Sequence, residues 1–288
     1  MRNLSKAILG VTALALTIST GPLSAKPVDN NPTGNAVYAQ VVIWDIPAAQ
    51  AATFQNTLYQ KTREMIRVPG FVNERVLRNI DTLTFHFATY TKGTNRAALE
   101  AATASRNQIL RGYASRDPEV HTLVLKHTYW GADGGSSKPT GTEYDRDAVG
   151  QVAHLGVFVP FNDFRPEYDR TLDHVKVFTR DRLPAGYLGE DVLDGADMSS
   201  PNALAPYTPR PFEAARVSVN YGEYETLEDA ENSYIKRGED RPNDPRILAW
   251  ERMFYSALQV PTRFYIFRVV DSVRGPGRNQ VQRLTLSR

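Results

Sequence analysis

One short pattern is written twice in this chain, and it constrains the fold more than any other feature. RVPGFVNERVL begins at Arg67, and RLPAGYLGEDVL, the same pattern with one residue inserted, begins at Arg182. Each copy follows an amphipathic run and precedes a strand-like run and then an acidic or alanine-rich helix. An internal repeat takes precedence over local assignments when an architecture is deduced. The sequence therefore predicts two similar modules in one polypeptide.

The first module is predicted to follow the order β-α-β-β-α-β. Residues 37–46 (VYAQVVIWDI) are β-branched and aromatic, as in a strand. Pro47 suits the first helical position, and the dipeptide Pro69-Gly70 ends that helix. The remaining predicted elements are strands at 71–79, 83–90 and 119–130 and a helix at 94–111. This order is the split βαβ unit of ferredoxin-like folds.

The second module repeats this order after a linker rich in Gly, Ser and Pro. Its strands are predicted at 152–161, in the repeated motif, at 213–224 and at 261–270. Its last helix begins near Leu227 and is interrupted between Arg241 and Pro245. The predicted division is a signal peptide at 1–25, a leader at 26–36, modules at 37–130 and 151–270, a linker at 131–150 and a tail at 271–288.

The N-terminus and the composition restrict location and partners. Arg2 and Lys6 precede a short apolar run, and small residues ending at Ala25 follow it, as in a secretory signal peptide. We therefore expect a periplasmic or secreted protein that is not attached to the membrane after cleavage. The sequence has no Cys, which excludes thiol and disulfide chemistry. Beyond residue 25 the basic and acidic residues balance, so nucleic acid is not an expected partner.

The sequence resembles a known domain. A strand, a helix that ends in Pro-Gly-Phe, two strands and then an acidic or alanine-rich helix are similar to the antibiotic biosynthesis monooxygenase domain of the dimeric α+β barrel superfamily. The matching residues are 37–46, 69–71 and 84–99 in the first module and 152–161, 184–188 and 215–230 in the second. A four-stranded sheet with both helices on one face leaves its other face bare. The resemblance therefore implies an α+β fold in which two ferredoxin-like modules form a pseudo-dimeric barrel within one chain.

This resemblance implies a function with two alternatives. The leading expectation is a cofactor-independent monooxygenase-like enzyme acting on an aromatic or polyketide-like small molecule, whose carbanion reacts with dioxygen. The first alternative is a heme-binding protein of the same superfamily, and the second is a non-enzymatic periplasmic protein that binds a small molecule. No metal site is predicted, because the five His form no His-x-His or His-Glu-x-x-His pair. Whether the chain forms oligomers is left open.

Six residues are candidates for the site. His86 is predicted as a general base, with Tyr90 on the same side of the strand as a second catalytic residue. His154, in the first strand of the second module, is predicted to contact the substrate or to bind heme. Arg216, Ser218 and Asn220 alternate along one strand and are predicted to bind substrate from the side that corresponds to His86. The competing interpretations are a backbone-bonded His and a solvated strand face.

Overall fold

The computed structural model describes residues 36–80, 85–130, 148–166, 168–170, 186–197, 215–240, 242–259, 262–275 and 282–283. The strands are β1 Tyr38–Asp45, β2 Phe71–Asn79, β3 His86–Gly93, β4 Glu119–Trp130, β5 Val152–Phe158, β6 Tyr187–Gly195, β7 Ser218–Tyr224, β8 Arg263–Arg274 and β9 Gln282–Arg283. The helices are α1 Ala51–Glu64, α2 Arg96–Leu110, α3 Leu227–Asp240 and α4 Pro245–Ser256. No helix within these ranges is long and apolar enough to cross a membrane.

The strands form one antiparallel sheet that closes on itself. Their order is β2-β3-β1-β4-β6-β7-β5-β8-β9, and β2 also pairs with β8. The pairing of β4 with β6 joins the first half of the chain (residues 36–130) to the second half (residues 148–283). The pairing of β2 with β8 joins them again on the other side. The result is an α+β fold with a barrel-like sheet.

The two halves contribute strands in matching order. The first half supplies β2-β3-β1-β4, and the second supplies β6-β7-β5-β8. Tyr90 of β3 lies between Val41 and Arg75 on the neighbouring strands. Tyr221 of β7 lies in the same way between Leu155 and Asp191. The two tyrosines therefore mark equivalent positions, from which the other residues of the two halves can be matched.

Alternation along each strand separates an inner core from outer cores. The inner face of the barrel is filled mainly by apolar side chains, among them Val41, Leu123, Leu155, Val219 and Phe267. On the outer face of the first half, side chains of α1 pack against β1, β2 and β3. On the outer face of the second half, Phe254 of α4 packs against Phe158 and Val192, and Ala230 of α3 packs against β5, β6 and β7.

The repeated motif makes the turn from α1 into β2. Phe54, Leu58 and Thr62 lie one turn apart on α1, and all three are buried. Gly70 then has a φ of +77°, and a Cβ atom there would lie 2.9 Å from the backbone nitrogen of Asn95. Only glycine fits without strain, which explains the Pro-Gly pair in the motif.

Several predicted boundaries are corrected by the sheet. β3 begins at His86 and continues to Gly93, and β7 begins at Ser218. β8 continues past residue 270, because residues 271–274 pair with β2 and complete the barrel. The prediction of a loose tail is therefore wrong for 271–274, and residues 282–283 add a short strand. The predicted signal peptide lies outside the described residues, as does most of the linker, although Ala148 is buried in the inner core.

An ion pair between the two halves spans the inside of the barrel. Arg263 of β8 donates to both carboxylate oxygens of Glu119 of β4, at 2.5 and 2.6 Å, although these strands are not neighbours in the sheet. His121 Nε2 lies 2.5 Å from the same carboxylate. Burial raises the pKa of Glu119, but His121 and Arg263 together lower it by a larger amount. The pKa therefore falls from 4.5 to about 2. The charged carboxylate is therefore favoured in the folded state.

We predict that Glu119→Gln destabilises the protein by about 2 kcal/mol at pH 6, a typical value for a hydrogen bond to a charged group. Because the pKa falls from 4.5 to about 2 on folding, this stabilisation is fully present above about pH 4.5 and is lost as the pH falls through about 2. Urea unfolding between pH 2 and pH 6 measures the difference between wild type and variant.

Glu64→Gln is the matched control, because Glu64 pairs with Lys61 on the surface and its side chain is 59% exposed. Such a pair contributes about 0–1 kcal/mol. A difference between wild type and Glu119→Gln that stays constant from pH 6 to pH 2 would contradict the role given to the Glu119 carboxylate.

Candidate functional site

The structure separates His86 from Tyr90. His86 lies at the start of β3 with its side chain 20% exposed, and its Nδ1 is 3.8 Å from Asp45 Oδ1. Tyr90 is buried in the middle of the barrel and donates its hydroxyl hydrogen to Asp191 Oδ2 at 2.6 Å. Ala88 lies between them on the inner face. The catalytic roles of both residues stay predictions.

His154, Ser218 and Asn220 lie on the outer face of the second half. Their inner-face neighbours on the same strands are Leu155 and Val219, which belong to the inner core. Because Tyr90 is equivalent to Tyr221, the position that corresponds to His86 is Val217, on the inner face. The predicted correspondence between the Arg216–Ser218–Asn220 side and the His86 side is therefore wrong. The substrate-binding roles of these residues stay predictions.

The three polar residues Arg216, Ser218 and Asn220 do not converge on one point. Ser218 is buried and donates to the carbonyl oxygen of Leu193 at 3.0 Å, so it contributes to the sheet. Arg216 is exposed and lines a cavity of about 250 Å³ that is also bounded by Lys126, Arg165, Asp169 and Asp194. Within that cavity Arg165 forms ion pairs with both Asp169 and Asp194. Asn220 lies further along the strand, beside His154.

A histidine, an amide and a carboxylate are connected on the outer face of the second half. His154 Nε2 lies 3.2 Å from Asn220 Oδ1, and Asn220 Nδ2 lies 3.4 Å from Glu190 Oε2. His154 is 7% exposed and Glu190 is 4% exposed. With a hydrogen on Nε2, the imidazole donates to Asn220, and Asn220 in turn donates to Glu190. This arrangement leaves Nδ1 as the basic nitrogen of His154.

The same face is filled differently in the first half. Glu74, which is equivalent to Glu190, accepts two hydrogen bonds from Arg106 at 2.7 and 2.8 Å. Thr62 donates to Glu74 at 2.6 Å, and Thr91 also donates to it. This carboxylate is surrounded by donors from α1, α2 and β3, so Glu74 has a structural role.

Around His154, Asn220 and Glu190, three positions of the second half carry smaller residues than the equivalent positions of the first half. The register of the strands matches three positions on the two outer faces: Val42 with Gly156, Phe87 with Ser218, and Thr91 with Gly222. Each change reduces the volume of the side chain on the sheet. At two further positions, Asn220 stands where the first half has Thr89, and His154 stands where it has Gln40. The outer face of the second half is therefore the candidate functional site.

The imidazole of His154 packs directly against the backbone of Gly222. A Cβ atom at this position would lie 2.7 Å from both Cε1 and Nε2 of His154, so the ring occupies the space that a side chain would fill. The rings of Tyr224 and Phe264 lie 5.6 and 6.5 Å from the imidazole, measured between centroids. An imidazole held between aromatic rings and a polar chain can act as a base toward a flat organic molecule.

Sequence reasoning missed Glu190. The signal was present, because NERVL in the first motif aligns with GEDVL in the second and places a glutamate at both Glu74 and Glu190. In the part of the chain that the structure describes, no group of three His, Asp or Glu side chains is arranged to hold a metal ion.

Comparison with known proteins connects this architecture to oxygenase-like structures. An anthrone oxidase-like protein superposes with a TM-score of 0.61 over 88% of this chain and 98% of its own, at 11% identity. A "putative monooxygenase" from Fusobacterium nucleatum has a TM-score of 0.55 over 88% and 100% of the two chains, at 7% identity. One from Lactobacillus acidophilus has a TM-score of 0.51 over 86% and 99%, at 8% identity.

The chain shares with these proteins an α+β fold with a barrel-like sheet. At 7–11% identity these similarities describe the fold alone, so the chemistry has to be argued from the site. No sequence profile of a protein family matches the chain, and no curated protein is similar to it in sequence. The resemblance seen in the sequence is thus confirmed at the level of the barrel.

We predict that Gly222→Ala displaces the His154 ring and weakens its hydrogen bond to Asn220. A methyl group inserted into packed surroundings costs about 1–3 kcal/mol of stability. Urea unfolding measures that cost, and the NMR resonances of the His154 ring, assigned with His154→Gln, report the displacement.

Gly112→Ala is the matched control, since a Cβ atom at Gly112 would meet no atom within 4 Å. Its stability should stay within about 0.5 kcal/mol of wild type. Unchanged His154 resonances in Gly222→Ala would show that the ring does not depend on the glycine.

Proposed function

We propose that this protein is a monooxygenase-like enzyme that removes a proton from an electron-rich aromatic molecule and lets the resulting carbanion react with dioxygen. The observation that carries this proposal is the chain of His154, Asn220 and Glu190 on the outer face of the second half. The barrel fold, shared with oxygenase-like proteins, supports it.

Each member of the chain has a distinct part in the proposed mechanism. The imidazole of His154 accepts the proton from the substrate carbon and becomes an imidazolium. Asn220 Oδ1 accepts the hydrogen bond from Nε2 and holds the ring in the required tautomer. The charge of Glu190, relayed through the Asn220 amide, favours the imidazolium that forms. Asn220 and Glu190 are positioning residues, because they act through His154.

The surroundings of His154 suit a flat aromatic substrate. Tyr224 and Phe264 lie beside the imidazole, and aromatic rings offer large apolar contacts at low entropic cost. We take anthrone as the probe because an anthrone oxidase-like protein shares the fold. Loss of a proton from the CH₂ carbon of anthrone gives a carbanion, and dioxygen is the oxidant. Anthrone and dioxygen, mole for mole, then yield anthraquinone and water.

The geometry favours a base over an axial ligand to heme. His154 Nε2 is directed at Asn220 Oδ1, and its ring is pressed onto Gly222. His86 Nδ1 faces the Asp45 carboxylate at 3.8 Å. In this conformation each of these two nitrogens faces an oxygen atom of another side chain. A Soret band in the purified protein would reverse this assignment and favour the heme-binding alternative.

We also infer how the chain arose and where it acts. Matching strand orders and the repeated motif support descent of both halves from one ferredoxin-like module. The sequence of residues 1–25 supports export to the periplasm or beyond. A small-molecule ligand is then the expected partner.

The test measures oxygen consumption with anthrone for wild type, His154→Gln and His86→Gln. We expect His154→Gln to lower the rate by about 10²–10⁴-fold, the range typical of a lost general base. Asn220→Ala should lower it less, because the base remains. Unfolding measurements on each variant separate lost chemistry from lost folding.

Two results would refute the assignment of the site. If His86→Gln abolished turnover and His154→Gln left it intact, the base would be at the barrel end where His86 and Asp45 meet. If wild-type protein did not accelerate oxidation of anthrone or of related phenolic ketones, the enzymatic assignment would fail and the non-enzymatic alternative would be favoured.

A further inference from the structure

Four charged side chains are enclosed inside the barrel. They are Arg75 of β2, Lys92 of β3, Asp191 of β6 and Glu223 of β7, and each is at most 2% exposed. They share the inner face with Tyr90 and Tyr221, whose rings lie 4.2 Å apart. Burying a charged group away from water costs much free energy unless the group is paired with an opposite charge and hydrogen-bonded.

Each cation is paired with an anion of the other half. Arg75 Nε lies 3.2 Å from Glu223 Oε1, and Lys92 Nζ lies 2.8 Å from Asp191 Oδ2. Burial lowers the pKa of Lys92 to about 8, although Asp191 opposes that change. The cost of burial is therefore incompletely offset even by the native partner.

The carboxylates receive further hydrogen bonds from the tyrosines. Tyr90 donates to Asp191 at 2.6 Å, and Tyr221 donates to Glu223 at 2.7 Å. Arg75 also donates to Ser272 Oγ at 2.5 Å. The four charges, the two tyrosines and Ser272 form a polar cluster inside the barrel that joins the two halves.

Equivalent positions in the two halves carry opposite charges. Arg75 is in register with Tyr90, and Asp191 is in register with Tyr221. Lys92 lies two residues after Tyr90, and Glu223 lies two residues after Tyr221. At these matched positions the first half thus contributes two positive charges, and the second half contributes two negative charges.

We propose that this reversal of sign makes the inner face of each half a docking surface for the other half only. A barrel built from two first halves would bring Arg75 against Lys92 without a carboxylate, and one built from two second halves would bring Asp191 against Glu223. Like charges facing each other in a dry interface strongly disfavour the wrong partner. The partner that fits the first half is therefore the second half, within one chain or exchanged between two.

Full-length charge variants test this selection. An all-cationic chain carries Asp191→Lys and Glu223→Arg, and an all-anionic chain carries Arg75→Asp and Lys92→Glu. Expressed alone, each should lose its cooperative thermal transition and the elution peak of the wild-type protein in size-exclusion chromatography. Co-expressed, the two should form a one-to-one heterodimer, because the first half of each chain can then close on the second half of the other.

A chain that carries all four substitutions is the control, because it shows whether substitution of these buried residues prevents folding regardless of the sign of the charges. It restores opposite charges within one chain and should recover the wild-type elution peak with a cooperative transition. A wild-type-like elution peak and transition from either one-sign chain alone would overturn the proposal. So would a four-substitution chain that folds no better than the one-sign chains, or one-sign chains that do not associate when co-expressed.

Discussion

Two hydrogen-bonded seams, β4 with β6 and β2 with β8, are the constraint on which the rest of this structure depends. A four-stranded half alone would expose two strand edges and an apolar sheet face, and both favour uncontrolled association. The seams remove the edges and bury the inner faces together. The inner core and the Glu119–Arg263 ion pair exist only because both seams form.

Closing the barrel commits the inner faces to each other and leaves the outer faces able to diverge. In the first half, Trp44, Phe54 and Phe87 fill the space between sheet and helices, and Arg106 neutralises Glu74. In the second half, glycine or serine stands at three matching positions, and His154 lies across one of them. The outer face of the first half is thus filled by large side chains and a neutralised carboxylate, whereas that of the second half carries the connected His154, Asn220 and Glu190.

Strands and turns could be predicted from the sequence more accurately than the face of the sheet on which each side chain lies. The bounds of β4 and the turn at Gly70 followed from residue types and their spacing. The face of Asn220 did not, because strand side chains alternate and an alignment that is wrong by one residue reverses inside and outside. Matching Tyr90 with Tyr221 would have given the correct face. The partners of Arg75 and Lys92 lie 148 and 99 residues away, and no local periodicity reports such pairs.

Neighbouring residues of β6 connect the two networks. Asp191 points into the barrel toward Lys92, whereas Glu190 points outward toward Asn220. On β7, Glu223 faces inward and Gly222 supports the imidazole outside. Buried ion pairs are weak sources of net stability compared with apolar packing, so specificity is the better explanation for retaining them. Since a shifted seam would misplace Glu190 and Gly222 together, inner charges that fix the pairing also fix the geometry of the outer site.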